Sequence, residues 1–159
     1  MPKLTQQMKQ VIKQQPVVFV ATSDTLGQPN VSPKGALKIV DDDKLVFADL
    51  CSFKTRSNLQ TNPRMAVAVV DPQSYVGYQF RGWAELMDEG PLFDELSHLL
   101  ARGPTGPQPM ELWFEKAARE LTVALARTGQ PVVRPSQVVI LHIEEIWNLT
   151  PGHEGEVWR

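Results

Sequence analysis

The sequence predicts a mainly β domain, a small antiparallel barrel of about six strands with flanking helices, and three observations predict it. Short runs rich in β-branched and aromatic residues recur between residues 17 and 87 and again at 138–143. Neighbouring runs are joined by tight-turn signals, which implies antiparallel pairing rather than the helical crossovers of a parallel sheet. Helical patterns are confined to the start, the stretch after the third or fourth strand, and a pair before the last strand. That distribution argues against a doubly wound sheet.

Each element has a local reason. Leu4, Met8, Val11 and Ile12 form the apolar stripe of a short amphipathic helix. Pro16 biases the residue before it out of the helical region, so the helix ends near Gln15. Val17 to Ala21 reads as a strand, and Asp24-Thr25-Leu26-Gly27 as a hairpin loop. Asn30 to Val40 continues as strand, interrupted by Pro33 and Gly35. A proline there removes a ladder donor, which points to an edge, a bulge or a place where another group uses the backbone. The turn Asp41-Asp42-Asp43-Lys44 leads to the strand Leu45-Val46-Phe47-Ala48. A short helix follows Ser52; Met65 to Val70 and Gln79 to Met87 are two more strands.

Beyond them, Asp88-Glu89-Gly90-Pro91 places acidic residues and proline where a helix start favours them. Leu92, Phe93, Leu96, Leu99 and Leu100 make one face of that helix, and the run Gly103 to Pro109 ends it. Trp113, Ala117, Leu121 and Leu125 mark a second helix, and Thr128 to Pro135 is a loop. Val138 to Ile143 is the last strongly apolar strand, followed by a polar tail from Trp147 to Arg159 with turn signals at Thr150-Pro151-Gly152.

Composition bounds the function. A chain of 159 residues, 42% apolar and 21% charged, suits a single domain spanning 1–159. With 16 basic against 18 acidic residues, nothing attracts it to nucleic acid or an anionic membrane. The single cysteine, Cys51, excludes an internal disulfide framework and a cysteine-based zinc site. No signal-peptide pattern opens the chain and no apolar run is long enough to span a bilayer, so a soluble, cytoplasmic protein is expected.

The chain carries no G-x-G-x-x-G, Walker A, G-x-S-x-G or H-E-x-x-H pattern. His98, His142 and His153 lie far apart in sequence, each more simply structural than functional. With no paired acid and base in view, any hard chemistry belongs to a cofactor. The informative stretch is FADLCSFKTRSNLQTNP, residues 47–63. Ser52 offers an N-cap, and Lys54, Thr55 and Arg56 occupy the first turn of the helix. Backbone N–H groups at a helix start, with a lysine and a threonine hydroxyl, suit a phosphate. Basic residues there oppose the helix dipole unless an anion is bound. The same residues also read as a solvated helix start with its basic side chains pointing outward.

A second stretch, Asn30-Val31-Ser32-Pro33-Lys34-Gly35, is a broken strand that can offer backbone groups to a flat heterocycle, or be a plain bulge at a barrel edge. Lys34 reads equally as a ligand contact and as a solvated lysine. Arg81-Gly82, on an otherwise apolar strand, is the third candidate.

Three segments, PNVSPKGALKIVDDDKLVFADL, KTRSNLQTNPRMAVAVVD and YQFRGWAELMDEGPLF, stand in the order and spacing of a known family. From about Val17 to Glu89, with weaker agreement in the last strand, the chain resembles the pyridoxamine 5′-phosphate oxidase-like proteins. The resemblance implies a six-stranded antiparallel FMN-binding split barrel with flanking helices. It implies that the strand holding Val31, Ser32, Pro33, Lys34 and Gly35 lies along the flavin ring and ribityl chain. Lys54 and Thr55 would hold the FMN phosphate, with Asn58 one turn on. Asp49 and Leu50 fall where the family's backbone meets the flavin edge, and Arg81 is a weaker carry-over.

The family further implies a homodimer with the flavin at the interface, and a small-molecule substrate or electron donor. Trp113 and Trp147 read as interface, flavin-edge or core residues. The arginine- and histidine-bearing motif that ends the true oxidase is absent, because this chain ends LTPGHEGEVWR, and Ser32 or a neighbour stands where the family has an early phosphate-binding arginine. The expectation is therefore FMN-dependent redox chemistry on a substrate other than vitamin B6. The alternatives are a non-catalytic flavin or haem carrier or sensor, and a deazaflavin or haem in place of FMN.

Overall fold

The computed structural model describes residues 1–15, 17–35, 37–49, 52–102 and 137–159, with the backbone only for 98–102. Its elements run α1 (Gln6–Gln14), β1 (Val17–Ser23), β2 (Pro29–Gly35), β3 (Lys38–Asp41), β4 (Lys44–Asp49), α2 (Phe53–Thr61), β5 (Arg64–Val70), β6 (Gly77–Met87), α3 (Pro91–Arg102), β7 (Gln137–Asn148) and β8 (Val157–Trp158). Pro16, Leu50, Cys51 and the expected helix bearing Trp113, Ala117, Leu121 and Leu125 lie outside the described residues.

The strands form one sheet in the order β2-β1-β5-β6-β7-β4-β3, with β8 also on β7. Every pairing is antiparallel. Tight connections between strands allow this. The sheet curls into a half-barrel, a mainly β antiparallel architecture with flanking helices. Pro33 accordingly sits on β2, an end strand of the described sheet, one side of which has no ladder for proline to break.

Two strands exceed the expected six. The run Asn30–Val40 is not one strand, because β2 loses its partner where β1 begins, at the pair Val17↔Gly35. The chain then crosses to β4, and β3 pairs there. The polar tail ends in β8, which pairs with β7 at Ile146 and Trp147. There β7 outruns β4, whose pairing stops at His142, and the tail supplies partners for the exposed backbone.

Burial follows from two packed faces. Inside the curl, α1 contributes Leu4, Met8, Val11 and Ile12 to a core with Val18, Val20, Leu45, Phe47, Val67, Phe80, Leu141 and Ile143. On the other side of β4 and β7, α3 packs Phe93 and Leu96 on Val46, Val138 and Ile140. Strands β4 and β7 are thus covered on both faces, which is why their sequences read as continuous apolar runs. α1 begins at a capping box in which Thr5 Oγ1 accepts the Met8 N–H at 3.2 Å. No helix of the described residues is long and apolar enough to cross a membrane.

Candidate functional site

Strand alternation sorts β2 into two sets. Asn30, Ser32 and Lys34 turn inward, and Pro29, Val31, Pro33 and Gly35 turn outward. The inward set meets Thr22 of β1, Asp49 at the end of β4, and one face of α2. Thr55 and Asn58 are 1% exposed there, one turn apart on the helix side that faces the sheet.

The contacts make one polar seam. Ser32 Oγ and Thr55 Oγ1 are 2.9 Å apart, and Asn30 Nδ2 donates to Thr55 Oγ1 at 3.2 Å. Asn30 Nδ2 and Asn58 Nδ2 both donate to Thr22 Oγ1, at 3.2 and 3.1 Å. Asn58 Oδ1 is buried without a hydrogen-bond partner. A buried polar atom left so costs about 1–3 kcal/mol unless a water or ligand meets it. Turning the amide over lets Oδ1 accept from the Thr22 hydroxyl and puts Nδ2 at the unmatched position, so that position offers either an acceptor or a donor.

Beside the seam lies the start of α2. Its first helical bond is Arg56 N–H to Ser52 C=O at 3.0 Å, so the N–H groups of Phe53, Lys54 and Thr55 have no acceptor within the helix. Ser52 occupies the cap position as expected, but its side chain makes no cap bond, and the first turn has no acidic residue. The helix start therefore keeps its positive end unneutralised. Lys54 and Arg56 point outward, as the solvated reading expects. Lys54 Nζ lies 3.5 Å from Asp24 Oδ2 in the β1–β2 loop. The Gln28 N–H, with the Leu26 N–H and the Lys54 ammonium, holds the Asp24 carboxyl below its ordinary value.

Lys34 is not solvated. It is 7% exposed, and its Nζ lies 2.9 Å from Oδ1 of Asp49, which is fully buried. Asp49 Oδ1 also accepts the Ser52 N–H at 3.3 Å, and Gln137 Nε2 donates to Oδ2 at 3.4 Å. Lys34 Nζ sits 5.7 Å from the Phe47 ring centre. The pair links β2 at one end of the sheet to β4 near the other end, where no ladder joins them. It also ties the strand leading into α2 to the first N–H before the helix.

The structure thus brings together Ser32, Lys34, Asp49, Thr55 and Asn58, with Lys54 at the rim. Val31, Pro33 and Gly35 share their strand but face the opposite side, and Leu50 is outside the described residues. Arg81 is on the outer face of β6, where its Nε donates to Gln79 Oε1 at 2.6 Å and its guanidinium lies 4.7 Å above the Trp147 ring. Sequence reasoning missed Thr22, and took Asn30 only as the start of a broken strand, not as a side chain of the site. The signal for Thr22 was available: a threonine in the buried phase of Val18, Val20 and Thr22 is a polar group asking for partners.

Two of the histidines have side-chain partners. His142 Nε2 and His153 Nδ1 each have a glutamate oxygen at 2.8 Å, Glu85 and Glu156, and His142 stacks on Trp83 with ring centres 3.9 Å apart. No group of His, Cys, Asp and Glu among the described residues is arranged to hold a metal.

The fit to a flavin mononucleotide rests on the donor set. An uncapped helix start, two adjoining hydroxyls and an unmatched buried amide suit a phosphate bearing a polyhydroxyl chain.

A family model described as pyridoxamine 5′-phosphate oxidase matches residues 4–150. An uncharacterised protein of Methanocaldococcus jannaschii is 30% identical over 155 residues, which is 96% of this chain and 85% of that protein. The crystal structure of HupZ from Group A Streptococcus is 30% identical, with a TM-score of 0.65 over 96% of this chain and 99% of that one. A Clostridium acetobutylicum protein related to general stress protein 26, of the pyridoxinephosphate oxidase family, shares 13% identity with a TM-score of 0.65 over 96% of this chain and 92% of that one; at that identity the likeness is one of fold.

Proposed function

The chain belongs to the pyridoxamine 5′-phosphate oxidase family, and on that premise we propose that it binds FMN and uses it for redox chemistry on a small molecule other than vitamin B6. The observation that carries the reading is the uncapped start of α2 beside the Ser32–Thr55 hydroxyl pair and the unmatched amide of Asn58. In this reading the N–H groups of Lys54 and Thr55 and the two hydroxyls hold the phosphate. The Lys54 ammonium draws the dianion toward the rim. Lys34, neutralised by Asp49, keeps β2 and the entry to α2 in place, so that the backbone from Val31 to Gly35 and at Asp49 and Leu50 can lie along the ring.

When bound, the flavin supplies hydride or electron transfer. The chain itself orients it and excludes water from the polar seam. Val17, Phe19 and Val31, apolar and 48%, 53% and 63% exposed on the outer side of β1 and β2, support a homodimer that covers them and completes the site. A second reading is a flavin, deazaflavin or haem carrier or sensor. It is favoured by the buried Lys34–Asp49 pair, which leaves the lysine engaged rather than offering it as an acid.

The test is uptake of FMN followed by its visible spectrum and fluorescence quenching. Wild-type protein should bind, and Lys54→Ala combined with Thr55→Ala should weaken binding by at least about tenfold, the loss of charge-assisted phosphate contacts. Protein that takes up no FMN, or a double variant with unchanged affinity, overturns the assignment. Reduction of the bound flavin by NAD(P)H, then reoxidation by a panel of acceptors, separates the enzyme from the carrier.

A further inference from the structure

The outer face of the sheet carries a second site, on the other side of β1 from the polar seam. An open cavity of about 430 Å³ is lined by Ala21, Ala66, Gly82, Arg64, Arg81 and the adjoining Glu144–Glu145, with Thr22, Ser23 and Met65 beside them. Its floor follows from register: Ala21 pairs with Ala66, and Ala66 with Arg81. Ala21 and Ala66 side by side, next to the backbone of Gly82, leave the sheet surface flat. Gly82 is obligatory there, because a Cβ would lie 1.8 Å from the His142 carbonyl oxygen.

The far wall comes from a β-bulge. On β7, Glu145 pairs with Arg81 and Ile143 with Gly82, so Glu144 is the extra residue. The bulge turns two consecutive glutamates toward the cavity between the buried Ile143 and Ile146.

The four charged side chains of the lining are not equivalent. Arg64 pairs with Glu144. Glu145 accepts from Trp147 Nε1 at 3.0 Å and from Arg159 Nε at 2.9 Å. Arg81 makes no ion pair among the described residues: its Nε is taken by Gln79, and its plane is fixed over Trp147. The cavity thus presents one guanidinium outside a close ion pair, with Glu145 feeling its charge from across the strands, held in one orientation at the edge of a flat apolar floor. A planar fork of N–H donors in that state matches a carboxylate in two parallel hydrogen bonds.

We propose that this cavity binds a small, flat monocarboxylate, with Arg81 clamping the carboxylate and Ala21, Ala66 and Gly82 supporting the body of the molecule. The one guanidinium of the lining outside a close ion pair selects one carboxylate, because a second would meet Glu144 and Glu145. The proposal does not depend on the flavin.

The probe is sodium benzoate, followed by heteronuclear NMR titration, with benzamide as its uncharged counterpart. Benzoate should shift the amides of Ala66 and Gly82 and the Trp147 indole in a saturable way, and benzamide should not. Arg81→Gln should raise the benzoate dissociation constant at least about tenfold. Arg81→Lys, which keeps the charge and loses the fork, should fall between the two. Ala66→Leu should abolish binding by filling the floor. Arg81 is exposed, so its variants keep the fold, and an unchanged amide spectrum away from the cavity verifies this. No shifts with benzoate at millimolar concentration, equal shifts with benzamide, or an unchanged constant in Arg81→Gln overturns the proposal.

Discussion

Asp49 ends β4 as a fully buried carboxylate, and Lys34 answers it from a strand that shares no ladder with β4. Two charges out of water are tolerated because each meets the other and the carboxylate accepts further hydrogen bonds. Removing one partner is costly. Asp49→Ala should destabilise the protein by about 3–5 kcal/mol, because the Lys34 ammonium stays buried without that carboxylate. Urea denaturation reads this directly, and a loss under about 1 kcal/mol would mean that Lys34 escapes to solvent. Neither role was legible at the residue scale in the sequence, where a lone lysine on a strand looks the same whether solvated or paired. The helix-start residues were more legible. Thr55 stands out by its place in a basic first turn, whereas Asn58 stands out only through the family resemblance. Thr22 and Asn30 gain their roles only when β1 and β2 pair in register.

At the scale of elements, the tail from Leu149 to Arg159 was the part least legible in the sequence. Its prolyl and glycyl turn signals are real, but a two-residue strand has no periodicity to detect. What holds β8 is its partner β7 and a small set of carboxylates. Trp147 N–H, then Arg159, hold the Glu145 carboxyl below its ordinary value of 4.5. His153, then Asn148, do the same for Glu156. A carboxyl lowered on folding contributes stability in full above its unfolded value, and loses it as pH falls through the folded one. Docking of the tail should therefore be intact above about pH 4.5 and loosen below it. Faster amide exchange at Val157 and Trp158 relative to β6 as the pH is lowered, after correction for intrinsic exchange, checks it. Equal protection at pH 3 and pH 6 would assign the docking to Trp158, which meets the Tyr78 ring edge-on at 6.2 Å.

For the whole molecule, the curl of the sheet divides its surface into a covered inside and an outer face with Phe19, Val31 and the alanine-floored cavity. The proposed homodimer places the apolar end of that face between two copies. Phe19→Glu should leave the monomer folded, since the side chain is already half exposed, and should shift the protein toward monomer in analytical ultracentrifugation. A dimer of unchanged stability would move the interface elsewhere.

The sequence by itself determined the class of fold, the order of its main elements and the helix start that suits a phosphate, because those depend on local periodicity, capping chemistry and turn residues. Only the tertiary structure decided that the Asn30–Val40 run divides between two partners, that Lys34 closes the split with Asp49, and that Arg81 faces a separate cavity. Each of these depends on which strand lies beside which, and pairing across the sheet brings together residues that local patterns cannot connect.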